Sequence, residues 1–485
     1  MRVPFHPRGA ELPQRADGKG LEQVFAQAED FQHRTLKLLE GGEVELYWVY
    51  GMVRNERLND YVIRPLTTLP LGRDPAKAIT MGGVWTVVAQ PPKDLEEAAV
   101  ALAEGNCALQ VGRTLLLIPV PTEEKRAVTP PEDEPAQKGA KDAFVETLLT
   151  NTSLVRRHIH TWRLGTRSIV VGREGRIKVQ ILWIEGLTNP ELVKQAARRV
   201  EQMDVDAVLD TQTLTDHLTD GQHTMVPLVL LTQRPDRFCR GLMEGRVGVF
   251  CDGIAQGWLV PGTAALFLRG PQDRDNQWLS SRALLFVRYL SVAFSLLLPA
   301  GYISMAAFHF GLMPTGMSET ISAARQNVPV SPPLEVVLLL FAFEILQEAG
   351  MRIPQLNGQS VSIIGSLVVG QAAVEAKLLS PMVVVVVAAA GIAGYTLPSQ
   401  DLANALRAVR FLLAVLAAFV GLFGVVLGLG WLCCHLSELE PLGVPWLAPF
   451  APDVPKSPCD VTRTPVRRAK LREVFLHPQD RRNQR

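Results

Sequence analysis

The sequence has 485 residues and a formal net charge of +1, so no overall basic or acidic field marks a nucleic-acid partner. That average conceals a division, because residues 289–450 hold only 13 of the 97 Asp, Glu, Lys and Arg. A charged, soluble region has been joined to an apolar one.

Met1–Gly20 is polar and rich in Pro, Gly and Arg, without the apolar core of a secretory signal, and is expected to be a disordered N-terminus. A first α/β subdomain is expected over 21–120. In it Val44–Gly51, VELYWVYG, is an apolar strand ending in Gly, followed by a helical stretch through Pro65. Residues 121–141, PTEEKRAVTPPEDEPAQKGAK, are charged, Pro-rich and too poor in apolar residues to bury a core, which predicts a linker. A second α/β subdomain is expected over 142–280. There Val179–Gly186, VQILWIEG, precedes a helical stretch over Asn189–Met203, opened by an Asn cap, a Pro and an acid. Trp48 falls on Trp183 at an offset of 135. Leu102-Ala103-Glu104-Gly105, before a strand at Ala108–Val120, falls on Leu242-Met243-Glu244-Gly245, before a strand at Val247–Cys251, at an offset of 140. Two matches at nearly one offset predict related subdomains; chance likeness of two common strand–Gly–helix units is the alternative.

After a polar joint at Gly270–Gln277 come uncharged runs at Tyr289–Phe308, Leu378–Leu397 and Phe411–His435, each long enough for the roughly 20 residues a bilayer core needs. Pro333–Leu346 and Val361–Val374 are too short to span comfortably. Arg282 and Arg288 before the first run, and Arg463, Arg467, Arg468, Lys470 and Arg472 after the last, predict both termini in the cytoplasm and an even number of crossings. The resulting arrangement is a membrane domain over 281–452, with four spans at about 286–308, 333–349, 378–397 and 409–435, a re-entrant or buried helix at 361–374, and a basic cytoplasmic tail over 453–485. It places Arg407 and Arg410 on the outer side, against the usual charge bias. The expected fold is thus an α/β soluble N-terminal region of two related subdomains followed by an α-helical polytopic membrane domain.

No Walker loop, nucleophile elbow, H-E-x-x-H or paired Cys/His cluster is present, so neither enzyme chemistry, nor a metal, nor a cofactor is expected. His158 and His160 alternate as on one face of a strand, and read as solvated surface. Asp204 and Asp206 read as turn residues. The six cysteines form no C-x-x-C pair and read as reduced, buried thiols. The informative polar residues are in the apolar half. On a helix, Gln359, Ser362, Ser366 and Gly370 form one small, polar stripe, which serves either close helix packing or the lining of a pore. Glu344 and Glu348 lie one turn apart, and Glu348 precedes Arg352 in the order that favours pairing. They read as a structural ion pair or as a cation-attracting vestibule. Gln371 and Glu375 repeat that spacing. Gly421, Gly424 and Gly428 mark either close helix contact or backbone need.

Several segments resemble one family. Thr232–Gly253, TQRPDRFCRGLMEGRVGVFCDG, and Met351–Val374, MRIPQLNGQSVSIIGSLVVGQAAV, are similar to characteristic stretches of the GerA family of spore germination proteins. Phe308–Pro314 with Ala323-Ala324-Arg325 resembles its first external loop, Gly443–Pro452 its closing motif, and Phe144–Asn151 with Ile184–Leu192 its N-terminal domain. The resemblance runs from about residue 21 to residue 456 and leaves the tail unmatched. It implies the A subunit of a nutrient receptor in the spore inner membrane, acting with a permease-like B subunit and a lipoprotein C subunit. The nutrient pocket is attributed mainly to the B subunit. The A subunit is expected to oligomerise and to contribute an ion-conducting path. A secondary transporter of a small solute or ion is the competing class; transporters carry repeats in the membrane half, whereas here the repeat is in the soluble half.

Overall fold

The computed structural model describes residues 16–70, 72, 75–83, 89–121, 134, 138–326, 328–352, 370–452 and 471–483. Two antiparallel sheets come first. β1 (Phe31–Lys37), β2 (Glu43–Val49), β3 (Asn106–Val111) and β4 (Thr114–Pro119) pair in that order. β5 (Leu164–Val171), β6 (Ile177–Ile184), β8 (Val247–Cys251), β9 (Gly257–Val260) and β7 (Leu230–Thr232) form the second, in the order β5-β6-β8-β9-β7.

The sheets share a path and a register. In the first, Val44 of β2 pairs with Val111 of β3. Shifting Val44 by 135 and Val111 by 140 lands on Val179 and Cys251, which pair between β6 and β8. Each sheet has two buried faces, so its central strands are apolar on both sides, while the edge strand β1 is largely exposed. In β6, Val179 and Ile181 enter one core while Leu182 and Ile184 enter the other, as the two-residue strand period requires. Helices cover these faces. α1 (Gly18–Val24) and α2 (Leu95–Ala103) lie on the first sheet, and the side chain of Asp94 caps α2 by accepting from Glu97 N. The second sheet carries α3 (Leu148–His158), α4 (Pro190–Glu201), α5 (Thr211–Leu218) and α6 (Pro235–Glu244). α4 starts at Pro190 behind the Asn189 cap. α6 stops at Gly245, whose φ of 103° is open to glycine. Arg156 of α3 joins the two units, with both its Nε and Nη2 donating to the Asp30 carboxylate at 2.6 Å.

After the short α7 (Ala264–Leu268), the chain enters a helical bundle: α8 (Trp278–Ile303), α9 (Thr315–Arg325), α10 (Pro332–Arg352), α11 (Pro381–Gly394), α12 (Gln400–Val420) and α13 (Leu422–Glu438). Among the described residues two helices are long and apolar enough to cross a membrane, Trp278–Phe308 and Gln400–Val420, with Pro381–Tyr395 and Leu422–Glu438 shorter.

The single helix expected over 409–435 is instead a hairpin. Gly421 takes φ 64°, ψ −141° between α12 and α13, a backbone conformation that breaks the helix inside an uncharged run. The turn lies against Phe308, which ends the helical turn Ser304–Phe308 that follows α8. The other end of the hairpin meets the second sheet: Leu402, Ala403 and Ala405 of α12 share its core with Phe238 and Leu242, and His435 of α13 bonds Thr224 at 3.0 Å. Arg407 and Arg410 therefore lie toward the soluble region, not on the remote side expected for them. The tail also returns, because Phe475 and Leu476 are buried beside Val247 and Trp258.

Candidate functional site

Two clusters of charged side chains mark the ends of the bundle. At the end nearer the sheets, α12 presents Arg407 and Arg410 one turn apart, and both reach Glu344 of α10. Arg410 Nη2 lies 3.1 Å from Glu344 Oε1, and Arg407 Nη1 lies 3.4 Å from Oε2. Arg407 also donates to Gln347 and Asn404, and Gln347 Nε2 donates to the Tyr395 hydroxyl at 2.8 Å. One carboxylate shared by two guanidiniums leaves a net positive trio. Glu344 is thus a cross-helix tie, with its arginine partners on α12. Glu348 is exposed in this chain. Arg352 closes α10, and its side chain lies outside the described residues.

The remote end is centred on Glu335, a residue the sequence reading did not single out. Its side chain is fully buried; Oε2 accepts from Ser380 N at 2.8 Å, and Arg325 of α9 approaches Oε1 to 3.4 Å. Glu335 Oε1, Ser380 Oγ and the Tyr302 hydroxyl are buried without a hydrogen-bond partner among the described residues. The available signal was an acid in the first turn of α10, directly before the uncharged stretch 336–343, where an acid facing hydrocarbon is costly.

Gln359, Ser362 and Ser366 lie outside the described residues. Gly370 opens the helical stretch 370–375; it is buried, and a Cβ there would stand 3.5 Å from Val384 of α11. Gln371 and Glu375 are exposed in this chain. The three glycines divide by cause. Gly421 makes the turn. A Cβ on Gly424 would sit 2.4 Å from the Leu416 carbonyl oxygen, and one on Gly428 2.5 Å from Leu413 Cδ2. At Gly424 the two arms of the hairpin touch at backbone without room for a methyl group, whereas at Gly428 a methyl group would have to displace leucine side-chain ends.

In the soluble half, His158 ends helix α3, so strand spacing with His160 does not apply. Its Nε2 lies 2.6 Å from Asp142 Oδ2; that hydrogen bond holds the Asp142 carboxyl below its ordinary range and the His158 imidazole above its own. Burial raises the thiols of Cys107, Cys239 and Cys251, the last to about 12, which leaves them protonated. Cys433 and Cys434 are exposed at the end of α13, contrary to the expectation of burial. Among the described residues no group of His, Cys, Asp and Glu has the arrangement of a metal site.

Comparison with known proteins agrees with the segments noted in the sequence. Residues 19–475 match the family described as Bacillus/Clostridium GerA spore germination protein. Spore germination protein B1 of Bacillus subtilis is 29% identical over 476 residues, covering 96% of this chain and 97% of that one. The uncharacterized membrane protein YfkQ of the same species is 31% identical, covering 84% and 80%. Spore germination protein GerQA of Bacillus cereus is 34% identical, covering 76% and 74%. The crystal structure of the N-terminal domain of the A subunit of the Bacillus megaterium spore germinant receptor GerK3 aligns with 51% of this chain and 95% of that one, at 22% identity and a TM-score of 0.40. With a match that extends from the first helix into the docked tail, the chain belongs to the GerA family of spore germination proteins.

Proposed function

We propose that this chain is the A-type membrane subunit of a spore nutrient receptor. The bundle sits in the inner membrane of the spore with both termini in the cytoplasm. The chain assembles with copies of itself, with a permease-like B subunit and with a lipoprotein C subunit. It contributes an ion-conducting path whose opening starts germination. Family membership supports the process. The bundle surface supports the membrane: Phe286, Phe294, Phe341, Phe423 and Trp431 all point outward, which water would penalise and lipid or a neighbouring subunit accepts.

One observation carries the receptor reading furthest. Glu344 ties α10 to α12, the helix whose first turns are embedded in the core of the second sheet. A change in the soluble region therefore has a direct mechanical route into the bundle. The stripe of Gln359, Ser362, Ser366 and Gly370 is proposed to line the path or to serve close packing of helices.

The test is genetic and biochemical. Deleting the gene in its own spore former removes the response to at least one nutrient, and a copy in trans restores it. Affinity capture of the tagged chain from spore membranes brings down the B and C subunits. Unchanged germination on every nutrient, with no co-captured partner, contradicts the proposal.

A further inference from the structure

The last described residues, 471–483, fold back on themselves and onto the second sheet. Leu471 bridges Arg482, and Arg472 N donates to Arg481 O at 2.9 Å. Phe475 and Leu476 enter the sheet core, and Gln479 N donates to Leu187 O at 2.9 Å. Between these anchors Glu473, only 5% exposed, is a bridge between two arginines. Its Oε2 accepts from Arg246 Nη2 at 2.7 Å, and its Oε1 lies 3.3 Å from Arg269 Nη1.

Arg246 and Arg269 stand at the two ends of one short element. Arg246, fully buried, also donates to Pro261 O and, at 3.3 Å, to Thr263 Oγ1, just before α7; Arg269 follows α7 directly. The next turn holds the first bundle helix. Arg288 of α8 donates to Leu268 O at 3.3 Å and to both carboxylate oxygens of Asp273. A continuous line of polar contacts thus runs from the tail, across both ends of α7, to α8. Glu473 is the close counter-charge in that line. Glu244 stands farther from Arg246, at 3.7 Å, and is shared with Arg274 at 3.0 Å. A guanidinium without exposed surface requires such a partner, since an uncompensated buried charge is costly.

We propose that residues 471–483 are a strap: an intramolecular peptide ligand of the second sheet whose Glu473 fixes both ends of α7 and so sets how α8 is seated. The strap makes the C-terminal segment part of the joint between the soluble region and the bundle, a role its basic composition conceals. Its withdrawal would loosen α7 and the first turns of α8 while the sheet keeps its pairing.

Hydrogen–deuterium exchange on the full-length protein in detergent tests this, comparing wild type with Glu473→Gln and with Arg482→Ala, a change in the same segment away from α7. The strap predicts that Glu473→Gln speeds exchange over 264–281 by at least about tenfold, leaves β5, β6, β8 and β9 protected, and that Arg482→Ala matches wild type. Unchanged exchange over 264–281 overturns it. So does equal acceleration across the whole sheet, which makes the segment ordinary core filling. If Glu473→Gln does not accumulate, the wild-type chain is cut after folding at a protease site placed within 453–470. Excess synthetic peptide of residues 471–485 then displaces the cut fragment, and removing that peptide speeds exchange over 264–281. A cut chain whose exchange is the same with and without bound fragment refutes the strap.

Discussion

Glu335 and Glu344 stand on one helix, about 13 Å apart along its axis, and each receives arginine from another helix. The remote pair is the dry one. Glu335 is fully buried, with one arginine and one backbone N–H, while Glu344 keeps 35% of its side-chain surface exposed and takes two arginines. The same chemistry therefore has different consequences. In the dry pair, loss of one partner strands a charge with nowhere to turn. In the trio, water reaches Glu344 and Arg407 and so replaces part of what is removed, although Arg410 is itself only 3% exposed.

The contrast is broken or sharpened by substitution. Arg325→Ala leaves Glu335 with Ser380 N alone among the described residues, and is expected to destabilise the bundle most, by about 3 kcal/mol, read as a fall in thermal midpoint in detergent. Gly424→Ala changes no charge. It forces the two arms of the hairpin apart at a backbone carbonyl and is expected to cost about 1–3 kcal/mol in the same assay, separating packing from electrostatics. Glu344→Gln keeps the shape of the trio and is expected to cost about 1 kcal/mol. An effect as large as that of Arg325→Ala would show that exposure does not distinguish the two ends.

The smallest effect is expected in the soluble half, where Asp142 and His158 form a water-side pair. The raised His158 contributes stability that is complete below its unfolded value, near 6.5, and is lost as pH rises through its higher folded value. The lowered Asp142 contributes stability that is present above its unfolded value, near 3.8, and is lost as pH falls through its lower folded value. Asp142→Asn should therefore cost less than about 1 kcal/mol at pH 6, and less at pH 9, where the His158 charge is lost but the backbone hydrogen bond and Arg234 still favour the carboxylate, by thermal unfolding at the two pH values. An equal cost at both would mean that the ion pair is not the source.

Much of the soluble fold was legible because its signals are local. VELYWVYG and VQILWIEG each state a strand and its end, and Asn189-Pro190-Glu191 states a helix start. Their shared register, Val44 with Val111 and Val179 with Cys251, follows from the spacing of those signals. The bundle was less legible. Hydropathy averages cannot register a turn made by one glycine in an apolar run, so Gly421 was absorbed into a span. Arg407 and Arg410 were counted as flanking charges, although their partner, Glu344, lies on a helix more than sixty residues earlier. Glu473 was outweighed by its basic neighbours, because composition counts charges without seeing which are buried.

In the proposed receptor, the tie between α10 and α12 carries the nutrient signal from the soluble region into the bundle. Spores carrying Glu344→Gln test it when receptor amount in their membranes is measured beside ion release after nutrient addition. The account predicts a normal amount of receptor with release slowed severalfold. Release at the wild-type rate from the same amount of receptor, or slowing only in proportion to lost receptor, would contradict it.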